Sequence, residues 1–185
     1  MQTLIIHPED KSTDFLCPIY ESLNNKTVVR GGVSKKELHE LVSAHERILM
    51  IGHGSPMGLF AVGQFEDEGF MSHIVDHSFV TALQKKDNVF IWCHANQFVQ
   101  EHRLTGFYSG MFISEVMEAA MYEFDVSQKT INQSNNSFSQ IASKYIAENS
   151  AIIHRHVTDE YGALSEHNPS IKFNNKRLYQ SALSN

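Results

Sequence analysis

Apolar residues in the first half of the chain come in short blocks, and polar segments with helical spacing lie between them. The blocks at residues 3–6, 27–29, 48–51 and 88–92 are rich in Ile, Leu and Val and too short for helices. Unbroken apolar runs of this length read as strands covered on both faces, as in parallel sheets. Between the first two blocks, Ser12-Thr13-Asp14 offers an N-cap, and Phe15, Leu16, Ile19 and Leu23 follow at helical spacing. Pro18 falls in the first turn of that helix, where it is tolerated. Between the second and third blocks, Ser34 and Glu37 have capping-box spacing, and Leu38, Leu41 and Val42 form an apolar stripe. The order β-α-β-α-β predicts a parallel sheet with covering helices.

Beyond residue 52 the pattern loosens. Residues 58–63 read as one arm of a hairpin or a short lid. Residues 77–86 read as a helix with Phe79, Val80 and Leu83 inward, and 96–102 as a short helix. Residues 106–113 read as a fifth strand interrupted at Ser109-Gly110, and Ser114 opens a helix carrying Val116, Met117, Ala120 and Met121. Phe138, Ile141, Ala142, Tyr145 and Ile146 mark another helix, whose start is lost in the polar stretch 132–140. Residues 151–157 read as a strand, 166–170 as a loop and 171–179 as a strand or hairpin around Asn174-Asn175. The expectation is one α/β domain over 1–185, with a mainly parallel sheet of roughly six strands flanked by helices. Its core would be about 1–125, with a helical and irregular part at 126–185.

Composition narrows the functional classes. The chain has 185 residues, 42% hydrophobic and 19% charged, as expected of one soluble globular domain. A net charge of -6 with 15 Lys and Arg argues against a nucleic-acid partner. No apolar run approaches a membrane span. The N-terminus has no basic region ahead of its apolar residues, so it does not read as a signal peptide. The only cysteines are Cys17 and Cys93, and reduced thiols in a cytoplasmic protein are the expected state.

Two strand ends carry candidate chemistry. The block Ile48-Leu49-Met50-Ile51 stops at Gly52-His53-Gly54-Ser55-Pro56, and the block Val89-Phe90-Ile91-Trp92 leads into Cys93. Open α/β sheets place their sites at the C-terminal ends of strands. If these two strands are neighbours, His53 and Cys93 share one sheet edge. His53 would take the thiol proton, and the N–H groups of Gly54 and Cys93 would face a developing oxyanion. Ser55, Ser109 and Met111 are candidates for the substrate-binding wall, although Ser109 and Met111 also suit a strand core. Cys17 reads as structural, and His94 as a residue at a helix start. His154, His156 and His167 invite a zinc reading, but 11 His in the chain make a chance cluster the better account. His39-Glu40 and His45 lack the H-E-x-x-H spacing. No metal or cofactor is expected.

With His-Gly after the third strand and Cys after the fourth, about forty residues apart, the chain resembles the caspase–hemoglobinase fold of cysteine endopeptidases. The texts IGHGSPMGLF and FIWCHAN carry the resemblance, which covers about residues 1–125. It implies a flavodoxin-like strand order, hydrolysis of peptide or protein substrates, Cys93 as nucleophile, His53 as general base and acid, and Gly54 as an oxyanion donor. Arginine-specific members often carry an acidic residue two positions before the cysteine. Ile91 stands there, so a basic preference does not follow. Three alternatives stay open. Cys93-His94 resembles the nucleophile turn of the DJ-1/PfpI superfamily, with Ala95 where a glycine usually follows. The His-Gly-Ser text resembles tetrapyrrole chelatases, but it ends the third strand rather than the first. The fold is also compatible with a catalytically inactive binding module. Oligomeric state is not legible.

Overall fold

The structure is a computed structural model that describes residues 2–182. In chain order its elements are β1 (Thr3–Ile6), α1 (Pro18–Glu21), β2 (Lys26–Val29), α2 (Lys35–Ala44), β3 (Arg47–Ile51), β4 (Gly54–Ser55), β5 (Gly58–Phe60), β6 (His73–Val75), β7 (Asn88–Ile91), α3 (Ala95–Glu101), β8 (Gly106–Ser109), α4 (Val116–Met121), α5 (Gln128–Tyr145), α6 (Ser150–Ala163), α7 (Pro169–Asn175) and β9 (Leu178–Ser181). The main sheet has the order β2-β1-β3-β7-β8-β9. Its first five strands are parallel, and β9 runs antiparallel to β8. This is the expected α/β class with a six-stranded, mainly parallel sheet. The strand order reverses beside β1, as in flavodoxin-like sheets.

Alternation within the strands builds two apolar layers. Leu4, Ile6, Ile48, Met50, Phe90 and Trp92 face a layer that includes Leu38 and Val42 of α2 and Phe98 of α3. Ile5, Leu49, Ile51, Val89, Ile91 and Phe107 face the opposite layer, which includes Ile19 of α1, Phe138 and Ile141 of α5, and Ile153, Val157 and Tyr161 of α6. A smaller cluster of Ile113, Ala119, Val126 and Ile131 lies under α4. At the N-terminal end of β3, Arg47 is fully buried. Its Nε donates to the Asp87 carbonyl at 2.7 Å and its Nη1 to the Ile146 carbonyl at 2.6 Å.

Three sequence expectations are corrected, and the helix start left open at 132–140 falls at Gln128. Residues 151–157 lie inside α6 rather than in a strand. The apolar residues Ile152, Ile153 and Val157 fit a helix covering a sheet as well as they fit a buried strand. His154 and His156 therefore share no strand face. Residues 171–179 split into the end of α7 and the start of β9. Residues 77–86 form only a 3-10 turn at His77–Phe79 followed by further turns. The polar stretch 132–140 is wholly helical within α5. Its Asn and Ser residues are partly buried there: Ser134 bonds Tyr161 Oη, and Ser139 Oγ bonds the carbonyls of Phe15 and Asn135. The capping box on α2 is formed by Ser34 and Glu37, as its spacing predicts.

Candidate functional site

Strands β3 and β7 are neighbours, with Leu49, Met50 and Ile51 opposite Val89, Phe90 and Ile91. His53 and Cys93 each lie two residues beyond the last of these pairs. The ladder runs one step further, because Gly52 N–H donates to the Ile91 carbonyl at 3.0 Å. Gly52 has φ +142°, which disfavours any side chain. The chain then turns into the small sheet β4-β5-β6. His53 and Cys93 line one cavity of about 20 Å³, together with Thr13, Phe15, Leu16, Gly52, Ile91, Trp92, Phe112 and Ser114. A space of this size holds about one water and is far below a ligand pocket of roughly 300 Å³ or more.

His53 is held from the loop that follows β1. Its Nε2 lies 2.6 Å from Ser12 Oγ, whose own proton goes to Asp10 Oδ1 at 2.7 Å. Ser12 has one hydroxyl hydrogen, so toward His53 it accepts, and Nε2 carries the proton. Nδ1 is then the basic nitrogen of the neutral ring. Asp10 also caps the turn Lys11–Leu16 through Ser12 N–H. Burial pushes its carboxyl up, but the Ser12 bonds and the nearby His53 outweigh this and leave it below the usual carboxylate range. Sequence reasoning read residues 12–14 as the cap and missed this relay. The signal was available: with β1 beside β3, the loop after β1 must abut the residue that ends β3.

Cys93 is half-buried and forms no disulfide. Its one S–H is shared between the Phe112 carbonyl, at 3.6 Å from the sulfur, and Glu118 Oε1, at 3.9 Å, and no hydrogen bond joins it to His53. The close contact expected between the sulfur and the imidazole is therefore replaced by other partners on each side. Burial pushes the thiol up and the Glu118 charge adds to this, to about 12. At neutral pH the sulfur is protonated. Glu118, which no sequence motif singled out, also accepts from Ser114 N–H at 2.7 Å, Ser114 Oγ at 3.1 Å and Glu115 N–H at 3.0 Å through Oε2.

Gly54 stands opposite Leu59 in the hairpin of β4 and β5. Phe60 N–H donates to the His53 carbonyl at 2.9 Å, so antiparallel alternation turns the Gly54 N–H away from β5. A Cβ on Gly54 would meet Trp92 Cδ1 at 2.3 Å and the Gly58 carbonyl at 2.6 Å. Trp92 Nε1 donates to the Ser55 carbonyl at 3.0 Å, fastening the hairpin to the end of β7.

The predicted substrate wall fares less well. Ser109 is fully buried, and its hydroxyl donates to the Trp92 carbonyl at 2.9 Å. It is a core residue of β8, a strand paired on both sides and buried along its whole length. The Ser55 hydroxyl is taken by His73 Nε2 at 2.8 Å and Met57 N–H at 3.1 Å. Neither Ser55 nor Met111 lines the cavity between His53 and Cys93. A larger cleft of 470 Å³ adjoins that cavity. It shares Phe15 and Ser114 with it and is walled by Lys11, Gln128, Asn132 and Asn135.

His94, beside the cysteine, adopts φ +68° at the start of α3. Its Nδ1 lies 3.4 Å from Gln97 Nε2. Among the described residues, no group of three or more His, Cys, Asp or Glu side chains is placed to hold a metal ion. Among them, too, no helix is long and apolar enough to cross a membrane.

No family model matches the chain, and no curated protein matches it. Among solved structures, the chain is similar to the crystal structure of the Arg-specific cysteine proteinase gingipain R, at 11% identity and a TM-score of 0.44. The match covers 97% of this chain and 46% of the other, so the chain spans about half the length of that structure.

Proposed function

We propose that this chain is a cysteine peptidase in which Cys93 is the nucleophile and His53 the base. One observation carries the reading: the two residues end adjacent parallel strands in register and line the same cavity. The choice of peptides among acyl substrates is what the resemblance of the His-Gly and Cys segments to the caspase–hemoglobinase fold implies.

The Cys93 thiol gives its proton to His53 Nδ1, and the thiolate attacks the carbonyl carbon of the scissile bond. Ser12 and Asp10 keep the imidazole in the tautomer that can accept this proton, and they stabilise the imidazolium once it forms. The Gly54 N–H, turned away from the hairpin ladder, and the Cys93 N–H receive the negative charge on oxygen. His53 then protonates the departing amine, and water attack on the thioester releases the acid. The protonated thiol and the small cavity make this form a resting one. A non-catalytic binding module is the rival reading, and the contact between Glu118 and Cys93 is the observation that favours it.

A peptide bearing a thiol-reactive warhead separates the two. It should label Cys93 in the native chain, and the His53→Ala variant should label slower by about 10²–10⁴. Equal labelling of both proteins would remove His53 from the mechanism.

A further inference from the structure

Glu118 is the residue that most opposes the proposed chemistry. A nucleophilic thiol is helped by neighbouring positive charge or hydrogen-bond donors. Here the ionisable group bonded to it is a carboxylate, with Oε1 at 3.9 Å from Sγ. The other oxygen of the same carboxylate gathers three donors from Ser114 and Glu115. One side chain thus ties the start of α4 to the sulfur.

Ala119 anchors the segment that carries Glu118, and Tyr122 and Phe124 pack on Phe173, but three features around it are less settled. Asn135 is 5% exposed, and its Nδ2 donates to the Ser114 carbonyl at 3.1 Å, which fixes the amide's orientation. Its Oδ1 is buried without a partner, an arrangement native proteins avoid. Glu123, just past α4, has φ +61°, where glycine is the usual residue. Met117 and Met121 turn outward at 74% and 78% exposure. The segment's base, by contrast, is firm. Asn174 grips Ile113 through both backbone groups, at 2.7 Å and 2.9 Å, and Phe112 is buried against Phe138.

We propose that Glu118 is an autoinhibitory latch: the closed form holds the Cys93 thiol through this carboxylate, and residues 114–124 pivot beyond Ile113 to free it. The inference rests on Cys93 being the nucleophile. Opening removes the negative charge beside the sulfur, so the thiol proton passes to His53. It also breaks the Ser114–Asn135 bond, uncovering the buried amide. Opening at Ser114 enlarges the space between His53 and Cys93, since that residue lines both the small cavity and the adjoining cleft.

The test uses the full chain and its Glu118→Gln variant, which keeps an oxygen for the Ser114 and Glu115 donors but removes the charge. Both are treated with iodoacetamide at pH 8, and carbamidomethylation of Cys93 and Cys17 is followed separately by peptide mapping. The expected result is a rise of tenfold or more at Cys93, with Cys17 changing less than twofold. Hydrogen exchange across 114–124 should quicken in the variant while α5 is unchanged. An unchanged Cys93 rate would overturn the latch. A slower rate would also overturn it and assign Glu118 as the base that ionises the thiol. A rise at both cysteines would report general loosening, and the latch would fall. If Cys93 alkylates faster in the variant but neither protein cleaves any peptide, the latch stands and the peptidase reading fails. If both cleave peptides and alkylate equally, the reading stands and the latch fails.

Discussion

At the scale of single residues, the C-terminal edge of the sheet is defined by what each polar group is bonded to. His53 and Cys93 are the proposed reactive pair, yet each is engaged elsewhere, one with Ser12 and the other with Glu118 and the Phe112 carbonyl. A third group on the same edge behaves differently. His7 follows β1, is fully buried, and meets Tyr20 Oη at 2.9 Å and Thr13 Oγ1 at 3.1 Å. Burial, aided by the Arg30 charge, lowers it from 6.5 to about 4, against the weaker pull of Asp14 and Asp10. The unfolded chain therefore binds a proton at this position where the folded protein does not. Stability from neutral His7 is complete above pH 6.5 and is lost as the pH falls toward 4. Denaturant unfolding between those limits should show the native protein weakening as pH falls. The His7→Gln variant should show a shallower slope. Parallel curves for the two proteins would contradict this account.

At the scale of elements, the hairpin of β4 and β5 is the part most tightly fitted to the site. Gly54 is fixed there by contact, because Trp92 and the Gly58 carbonyl occupy the place of a side chain. Gly54→Ala should push the hairpin off Trp92 and destabilise the protein by about 1–3 kcal/mol. It should also slow labelling of Cys93 by a peptide probe, since the Gly54 N–H moves with the hairpin. A thermal melt paired with the labelling rate checks both effects, and a variant as stable and as reactive as the parent would refute them.

The same scale shows what the sequence made legible. The blocks at 48–51 and 88–92 announced β3 and β7, because a strand covered on both faces has no polar positions to blur it. The helix α6 was misread because its moderate polarity and its run Ala151-Ile152-Ile153 suit either period. Ser109 was left between a pocket wall and a strand core because a serine in a strand does not reveal which carbonyl it serves. Asp10, Ser12 and Glu118 are brought to the site by tertiary contact alone. A short-range pattern records caps and stripes, and Asp10 and Glu118 also act in local caps, with Ser12 bonded to Asp10, which hid their second contact.

At the scale of the whole molecule, the sheet order β2-β1-β3-β7-β8-β9 explains why the site lies where it does. With β1 and β7 on either side of β3, the loops after all three strands meet over one edge. That edge gathers Asp10 and Ser12 from the first loop, His53 and Gly54 from the second, and Cys93 from the third. The helical layer of α5 and the segment before it close the edge from the side and bring Glu118 to the sulfur. The opposite edge is tied by the buried Arg47, so the strands are pinned at the end away from the candidate site.

The central claim is that Cys93 cleaves peptide bonds with the help of His53. The direct measurement is the cleavage of a peptide library by the native chain, by Glu118→Gln, and by each of these with Cys93→Ala. Cleavage at defined peptide bonds that rises in Glu118→Gln and vanishes with Cys93→Ala is the predicted result. No cleavage above the Cys93→Ala background in either protein would contradict the account.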